Sequence, residues 1–178
     1  NGGAKPTPTS SPKLVCTGGA NGNFEASFEC WEHGGELDQS VRCEDGQCYA
    51  ILGNPDYDCE GGVPIGEAWI KRTFEVPTTV SPTLSLRYEV LSYDIYSLDL
   101  DESDFFQVSV DDKLLARFGN TDWEESSCDR EVWDSVWQSV EFDLSAYKGK
   151  EVEVKLNNVN ATNEWWNTWT YVDDVAIR

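Results

Sequence analysis

The feature that most constrains the fold is a series of short runs in which apolar and polar side chains alternate. The run 68–76 places Ile70 and Phe74 on one side and Trp69 on the other, and it ends at Pro77. Alternation with a period of two is typical of a strand with one buried and one solvated face. The other strand-like runs are residues 47–52, 83–93, 105–110, 113–118, 137–144, 151–156 and 169–177. No stretch shows sustained helical periodicity, so the sequence predicts an all-β sandwich.

Turn signals separate these runs. Gly53-Asn54-Pro55 is a strong breaker, and Asp111-Asp112 is a candidate two-residue turn between two runs. We expect an antiparallel hairpin at the second of these positions. The segment 32–35, Glu-His-Gly-Gly, is interpreted as another turn.

The last strand-like run carries a carboxylate where an apolar side chain is expected. Alternation puts Trp169, Tyr171 and Asp173 on one otherwise apolar face, so we expect that face to be buried. A buried carboxylate is costly unless its charge is compensated, and Ca²⁺ prefers carboxylate and carbonyl oxygens. Glu25 lies in the first candidate strand, at residues 22–25, and if the two strands pair, both acids approach one cation. The alternative is that both carboxylates are solvated.

The chain of 178 residues is strongly acidic. It has 13 Lys and Arg against 33 Asp and Glu, which gives a formal charge of −20. Such a field repels nucleic-acid phosphates and anionic membranes, and no apolar run is long enough to span a bilayer. We therefore expect no nucleic-acid partner and no membrane insertion. The charge suits a secreted protein that binds a cation or a neutral ligand.

The cysteines indicate an oxidising compartment. They are Cys16, Cys30, Cys43, Cys48, Cys59 and Cys128. No pair has C-x-x-C spacing and His33 is the only histidine, which argues against a zinc site. An even number suits disulfides, although six cysteines allow many pairings. Cys43 and Cys48 flank the turn-forming segment Glu-Asp-Gly-Gln, and we expect them to close a small hairpin-like loop.

The first residues differ in composition from the rest. Residues 1–13 are rich in Gly, Pro, Thr and Ser and carry almost no apolar side chain, which is typical of an extended linker. We expect a linker at 1–13, a folded binding domain at 14–178 and an upstream domain in the same chain. An ordinary frayed terminus is the alternative. The chain is interpreted as a mature fragment of a larger secreted protein.

Tryptophans beside polar residues are candidate ligand platforms. Trp165 and Trp166 lie among Asn and Glu residues, and Trp133 lies in the acidic stretch after Asn120. A flat ring stacks on the apolar face of a sugar, and neighbouring polar groups bind its hydroxyls. In an extended backbone Trp165 and Trp166 point to opposite sides, so one is expected to be exposed. The alternative is that these rings pack inside the sandwich or cap its edges.

Motifs for catalysis are missing from the sequence. It has no G-x-S-x-G, no H-E-x-x-H and no glycine-rich phosphate loop, and His33 is interpreted as an exposed loop residue. Carboxylate pairs serve glycoside hydrolysis, but 33 acids make any such pair uninformative. The segment 93–104 concentrates acids and tyrosines. We interpret it as a solvated acidic loop, with a ligand or cation site as the alternative.

Two short motifs resemble a known class of domain. Asn-Gly-Asn-Phe-Glu at 21–25 and Tyr-Val-Asp-Asp-Val-Ala-Ile at 171–177 resemble the galactose-binding-like jelly-roll β-sandwiches. This class includes carbohydrate-binding modules and the MAM domains of extracellular proteins. The resemblance implies a jelly-roll β-sandwich of two antiparallel sheets. It also implies a structural Ca²⁺ held by Glu25 and Asp173, with Asp174 as the reserve ligand.

The opening of the chain resembles the start of MAM domains in particular. The residues concerned are Cys16, Phe24-Glu25 and Cys30-Trp31. The resemblance implies a Cys16–Cys30 disulfide. With Cys43–Cys48 closing its own loop, a third pair, Cys59–Cys128, remains as a prediction.

These observations lead to one expected function and two alternatives. We expect a secreted, extracellular, non-catalytic binding module for carbohydrate, with a structural calcium ion and Trp165, Trp166 and Trp133 as platform residues. The first alternative is a MAM-like adhesion or protein-interaction domain without a sugar site. The second alternative is a hydrolase that uses carboxylates.

Overall fold

The computed structural model describes residues 16, 20–57, 61–79, 81–96, 103–161 and 163–178. Within these residues eleven strands form, with one 3₁₀ turn at Ser145–Tyr147. The strands are β1 (Glu32–Gly35), β2 (Gln39–Glu44), β3 (Gln47–Leu52), β4 (Gly66–Glu75), β5 (Thr83–Ser92), β6 (Phe105–Val110), β7 (Lys113–Phe118), β8 (Trp133–Asp134), β9 (Gln138–Asp143), β10 (Glu151–Asn160) and β11 (Thr168–Ile177). The predicted linker at 1–13 lies outside the described residues. No helix in the described part of the chain is long and apolar enough to cross a membrane.

The strands form two antiparallel sheets, which confirms the predicted jelly-roll β-sandwich. Sheet I has the order β1-β4-β10-β6-β7. Sheet II has the order β2-β3-β11-β5, and both β8 and β9 pair with β5. Each sheet therefore has one face toward its partner and one face outward.

The hydrophobic core lies between the sheets. Ile70 and Leu156 of sheet I and Leu52 and Val172 of sheet II have no exposed surface. Alternation in each strand supplies these inward rows, because every second side chain points to the same face. Truncation of a buried Leu such as Leu156 to Ala costs about 2–5 kcal/mol, so these rows hold the two sheets together.

The turn chemistry of two hairpins was predictable. Asp111 and Asp112 have φ of 48° and 62° and join β6 to β7, as predicted. Asp45 and Gly46 have φ of 51° and 84° and join β2 to β3. Two successive residues with positive φ give a turn whose twist matches that of the strands.

The described disulfides agree with the predicted pairs. Cys43 lies opposite Cys48 in the β2–β3 hairpin, and the two are bonded. Cys16 is bonded to Cys30. Cys128 is disulfide-bonded, and its predicted partner Cys59 lies outside the described residues.

The interpretation of residues 32–35 as a turn is wrong, because they form the edge strand β1. Gly34 pairs with Trp69, and a Cβ on this glycine would lie 2.8 Å from Cζ2 of the indole. Gly35 has a φ of 112°, which glycine adopts without strain. Gly34 is thus needed because the Trp69 ring lies close over the strand. Gly35 is needed for its positive φ and because a Cβ there would lie 2.0 Å from the carbonyl oxygen of Glu67.

The face of the last strand that packs against the core is not the face that the sequence predicted. Val172 faces the core, and a bulge at Asp174, whose φ is 53°, returns Val175 to the core as well. Trp169 and Tyr171 lie on the opposite, outer side of sheet II, in register with Leu91 and Glu89 of β5. The expectation that Trp169, Tyr171 and Asp173 share the core face is therefore wrong. Both faces of a central strand are covered here, so alternation alone did not distinguish them.

The N-terminal segment meets β11 but does not pair with it as a strand. Residues 20–30 form successive turns, with Phe24 buried in the core. The backbone N–H of Val175 donates to the carbonyl of Gly22 at 2.9 Å. A Cβ on Gly22 would lie 1.9 Å from the carbonyl oxygen of Val175, so only glycine allows this close approach.

Candidate functional site

A single row of side chains crosses the whole outer face of sheet I. The cross-strand register aligns Gly34 of β1, Trp69 of β4, Asn157 of β10, Gln107 of β6 and Arg117 of β7. We call these five residues the cross-strand row. The row lies on the outer face because the flanking positions in β4 and β10 point into the core.

The aromatic member of the row is Trp69. Its half-buried ring lies over Gly34, and the ammonium groups of Lys71 and Lys155 are 5.7 Å and 5.5 Å from its centroid. Lys71 is also paired with Glu153 at 2.9 Å, and this hydrogen bond raises the pKa of the lysine. Two cationic side chains thus lie near this ring on the outer face of the sheet.

The centre of the row carries unused hydrogen-bonding capacity. Asn157 has no exposed surface, and neither of its amide atoms has a hydrogen-bond partner among the described residues. The Nε of Arg117 is also buried and has no hydrogen-bond partner among the described residues. The guanidinium group of Arg117 lies 3.8 Å from the ring centroid of Phe105. A buried polar group without a partner costs about 1–3 kcal/mol, and native proteins contain few of them.

This combination suits the recognition of a sugar. Trp69 offers a stacking surface, while the amides of Asn157 and Gln107 and the guanidinium of Arg117 offer donors and acceptors in line with it. Ligand sites combine apolar rings with a small number of placed polar groups. A polar group that has no hydrogen-bond partner in the protein gains the most free energy when a ligand supplies one. The row arises from five different strands, so it exists only in the folded sheet.

The predicted platform tryptophans lie elsewhere. Trp165 is 53% exposed, and a Cβ on Gly61 would lie 3.4 Å from its ring. Trp166 is half-buried, and the side-chain oxygen of Asn163 accepts from the backbone N–H of both tryptophans. Their role as a platform stays a prediction.

Trp133 occupies a different position from the other two. It is 9% exposed and packs against the core, and its indole N–H donates to Asp122 at 3.1 Å. With Tyr88 and Phe118 it lines a cavity of about 420 Å³. No ring contact in the described part of the chain joins Trp133 to Trp165 or Trp166.

The predicted calcium ligands lie where the N-terminal turns meet β11. Asp173 is 7% exposed, and burial raises its pKa to about 6, with a further contribution from the charge of Glu25. Its Oδ1 accepts from the backbone N–H of Asp174 at 2.7 Å. The exposed carboxylate of Asp174 lies 3.6 Å from Arg87, so ligation by this residue would compete with an ion pair.

A calcium ion at this position would need neutral oxygens as well. The described residues contain no group of three or more His, Cys, Asp or Glu side chains suited to a metal. The charge of Glu25 nevertheless adds a small contribution to the raised pKa of Asp173, after burial and the charge of Asp174. The turns at 20–30 bring backbone carbonyls to the same end of the sandwich. Two carboxylates with carbonyl oxygens are an acceptable donor set for Ca²⁺.

The outer face of sheet II carries a second group of aromatic residues. Tyr49, Trp137 and Tyr171 contact one another, with ring centroids 5.1 to 6.4 Å apart. Arg87 lies 4.8 Å from the Trp137 ring centroid. We call Tyr49, Trp137 and Tyr171 the aromatic cluster.

Two hydrogen-bonded acidic side chains lie beside this cluster. Glu89 pairs in register with Tyr171 and is hydrogen-bonded to Asp134. Burial, followed by the charge of Asp134 and this bond, raises the pKa of Glu89 to about 7. The carboxyl group of Glu89 therefore takes up a proton at higher pH than an ordinary glutamate.

The cross-strand row was missed at the sequence level for a clear reason. Alternation had already placed Trp69 on the solvent side of its strand, which was a usable signal. Asn157, Gln107 and Arg117 become its neighbours only through the strand order and register, which a single sequence does not specify.

Structural comparison finds the same fold in carbohydrate-binding and adhesin domains. TmCBM61, solved in complex with β-1,4-galactotriose, has a TM-score of 0.53 and 12% identity, over 95% of this chain and 99% of that one. The K3 cleaved adhesin domain of Lys-gingipain from Porphyromonas gingivalis W83 has a TM-score of 0.52 and 14% identity, over 88% of this chain and 95% of that one. The protein thus shares the β-sandwich fold of two antiparallel sheets with these domains, as the resemblance of the two short motifs implied.

Comparison of the sequence with known families and proteins finds no match. No protein-family model matches the chain, and no curated protein matches it significantly. At such low identity the structural likeness shows the fold alone, so function rests on the site.

Proposed function

We propose that this chain is a secreted, non-catalytic carbohydrate-binding module that binds a neutral glycan on the outer face of sheet I. The observation that carries the proposal is the cross-strand row, in which a stacking indole is aligned with orphan amide and guanidinium groups. One sugar unit would stack on Trp69, and its hydroxyls would bond to Gln107. They would also bond to Asn157 once the side chains that cover this buried amide move aside. Arg117 would contact the next unit.

The charges of this face favour a neutral ligand. Lys71 is paired with Glu153 at 2.9 Å and with Glu32 at 3.6 Å, and Lys155 is paired with Glu67 at 3.4 Å. The lysine charges are thus already matched, and the formal charge of −20 repels anionic glycans over longer distances.

The proposal includes a structural Ca²⁺ at Glu25 and Asp173. Asp173 is a buried carboxylate next to a second acid, and a bound cation would compensate both. The ion would link the N-terminal turns to β11, which the bond from Val175 to Gly22 already holds together. Its role is to stabilise this end of the sandwich, away from the cross-strand row.

A non-catalytic role agrees with the short distance between the carboxyl groups of Glu89 and Asp134. Glycosidases keep their two carboxyl groups about 5–10 Å apart to accommodate the sugar and water. Glu89 and Asp134 are hydrogen-bonded to each other, which is too close for that chemistry. Secretion is supported by the disulfides, which persist in oxidising compartments.

A binding assay on polysaccharides tests the proposal. The whole chain would be incubated with insoluble cellulose, galactan, xylan and chitin in the presence of Ca²⁺, and retention would be measured with and without competing soluble oligosaccharides. We expect retention on at least one neutral polysaccharide, lost in Trp69→Ala and kept in Trp137→Ala. Retention on none, together with concentration-dependent self-association, would instead favour the MAM-like adhesion alternative.

A further inference from the structure

Two buried carboxylates lie at the end of the sandwich where β5 ends and β6 begins. Asp94 follows β5 and Asp104 directly precedes β6, and each is 3% exposed. The interpretation of segment 93–104 as a solvated loop is therefore wrong for these two acids. Residues 97–102 of that segment lie outside the described residues.

Asp94 is fixed by hydrogen bonds on every side. Its N–H donates to Ser92 Oγ at 3.0 Å, and its carbonyl accepts from the side-chain amide of Asn120 at 2.7 Å. Its Oδ1 accepts from the N–H of Ile95 and its Oδ2 from the N–H of Asp104, each at 2.8 Å. The last bond holds the two acids side by side.

Only part of the hydrogen-bonding capacity of the Asp104 carboxyl group is used. Its Oδ1 accepts from the N–H of Ala161 at 2.8 Å, and Thr168 also hydrogen-bonds to the carboxyl group. Its Oδ2 is buried and has no hydrogen-bond partner among the residues that the structure describes. An ionised carboxylate accepts about four hydrogen bonds, so this oxygen has a free ligand position.

The two negative charges also lack an ion-pair partner among the described residues. None of the ion pairs in the described part of the chain includes Asp94 or Asp104. Burial raises the pKa of both, and Asp94 raises that of Asp104 further. A proton on Oδ2 would cancel one charge but would itself need an acceptor. A cation would compensate both charges and occupy the free position.

We propose that Asp94 and Asp104 bind a hard divalent cation such as Ca²⁺, at a site separate from Glu25 and Asp173. Oδ2 of Asp104 is the anchoring ligand, Asp94 supplies the second charge, and neutral hydroxyl and carbonyl oxygens complete the shell. Two carboxylates balance the charge of one divalent ion. Thr168, next to Asp104, is five residues from Asp173 in β11, or roughly 17 Å along the strand.

Counting bound metal tests this proposal independently of sugar binding. Equilibrium dialysis of the whole chain against ⁴⁵Ca²⁺ after chelation measures the equivalents bound. We expect Asp104→Asn to bind one equivalent fewer than the unaltered protein, and Asp94→Asn to bind that equivalent at least about tenfold more weakly. Asp129→Asn removes an exposed carboxylate and is the matched control, with no change expected.

A second variant keeps the test decisive if Asp104→Asn does not fold. Asp173→Asn removes a ligand of the other proposed ion, so it should still bind one equivalent, and that equivalent should survive Glu25→Gln as well. Equal stoichiometry in the unaltered protein and Asp104→Asn would overturn the proposal and assign a proton to this site. Complete loss of binding in Asp173→Asn would also overturn it.

Discussion

The outer faces of the two sheets both carry aromatic and polar side chains, but these side chains make very different contacts on the two faces. On sheet II, the rings of Tyr49, Trp137 and Tyr171 contact one another, and Arg87 lies over Trp137. On sheet I, Trp69 packs on Gly34 and has two lysine ammonium groups near its ring, and none of the ring contacts described involves it. Its neighbour Asn157 has no hydrogen-bond partner among the described residues.

The difference separates structural aromatic residues from candidate binding residues. Rings that satisfy one another gain little from a ligand, because binding would have to disrupt existing contacts. A ring that has no aromatic neighbour and lies beside unsatisfied polar groups gains both stacking and hydrogen bonds from a ligand. Unused capacity in the free protein is therefore a better guide to a binding face than aromatic content.

The largest expected effect separates Trp69 from Trp137. Trp69→Ala should weaken binding of a neutral oligosaccharide by at least about 30-fold, because central aromatic anchors contribute about 2 kcal/mol or more. Trp137→Ala should leave affinity within about threefold and lower the free energy of unfolding by about 1 kcal/mol, through loss of two ring contacts. Isothermal titration calorimetry and urea unfolding measure the two effects. Equal losses of affinity would contradict the comparison.

The next effect concerns two adjacent asparagines. Asn157→Leu removes an orphan amide, so we expect stability to rise by about 1 kcal/mol while sugar affinity falls about tenfold. Asn158→Leu is the matched change on the inner face, where the amide bonds to the carbonyl of Thr168 at 2.8 Å and accepts from Thr170 at 2.9 Å. That variant should lose about 1–3 kcal/mol. A loss of stability in both variants would show that Asn157 is satisfied in solution.

A third prediction uses the pH dependence of Asp173. Its folded pKa is raised to about 6, so without metal its contribution to stability is present at low pH and is lost as the pH rises through about 6. In EDTA, Asp173→Asn should therefore be more stable than the unaltered protein near neutral pH, by about 1–2 kcal/mol. With Ca²⁺ the order should reverse, because the amide is a poorer ligand. Thermal melts in both buffers check the reversal, and no effect of Ca²⁺ would count against the ion.

The smallest effect concerns Glu89 on sheet II. Its pKa is raised to about 7, so its stabilising contribution is present in acid and declines as the pH rises through about 7. Glu89→Gln should raise the melting temperature slightly near pH 8 and leave it unchanged at mildly acidic pH. Sugar affinity should not change, since this acid lies on the other sheet. A loss of affinity would move the binding face to sheet II.

The fold was largely predictable because turn chemistry marked the strands. The runs 47–52, 105–110 and 113–118 match β3, β6 and β7, each next to a turn with Asp or Gly. β1 was missed because Gly34-Gly35 is typical of a turn, whereas Gly34 accommodates the Trp69 ring and Gly35 accommodates the carbonyl group of Glu67. β2 and β8 lack clear alternation and were also missed.

The sites were less predictable because they depend on register and local irregularity. Asp173 was singled out as a buried carboxylate, and it is 7% exposed, but alternation did not show that its strand face is the outer one. A bulge after Asp173, which the sequence does not announce, decides that Val175 faces the core. Asp94 and Asp104 lie in an acidic segment that resembles a solvated loop, and their burial follows from the closure of the sandwich end. The row on sheet I joins residues far apart in sequence.

The most direct measurement is an NMR titration of ¹⁵N-labelled protein with β-1,4-linked oligosaccharides in Ca²⁺ buffer. The account predicts that the largest shifts fall on the side-chain amides of Asn157 and Gln107 and on the indole of Trp69. Shifts centred on Trp165 and Trp166, or on the aromatic cluster of sheet II, would contradict it.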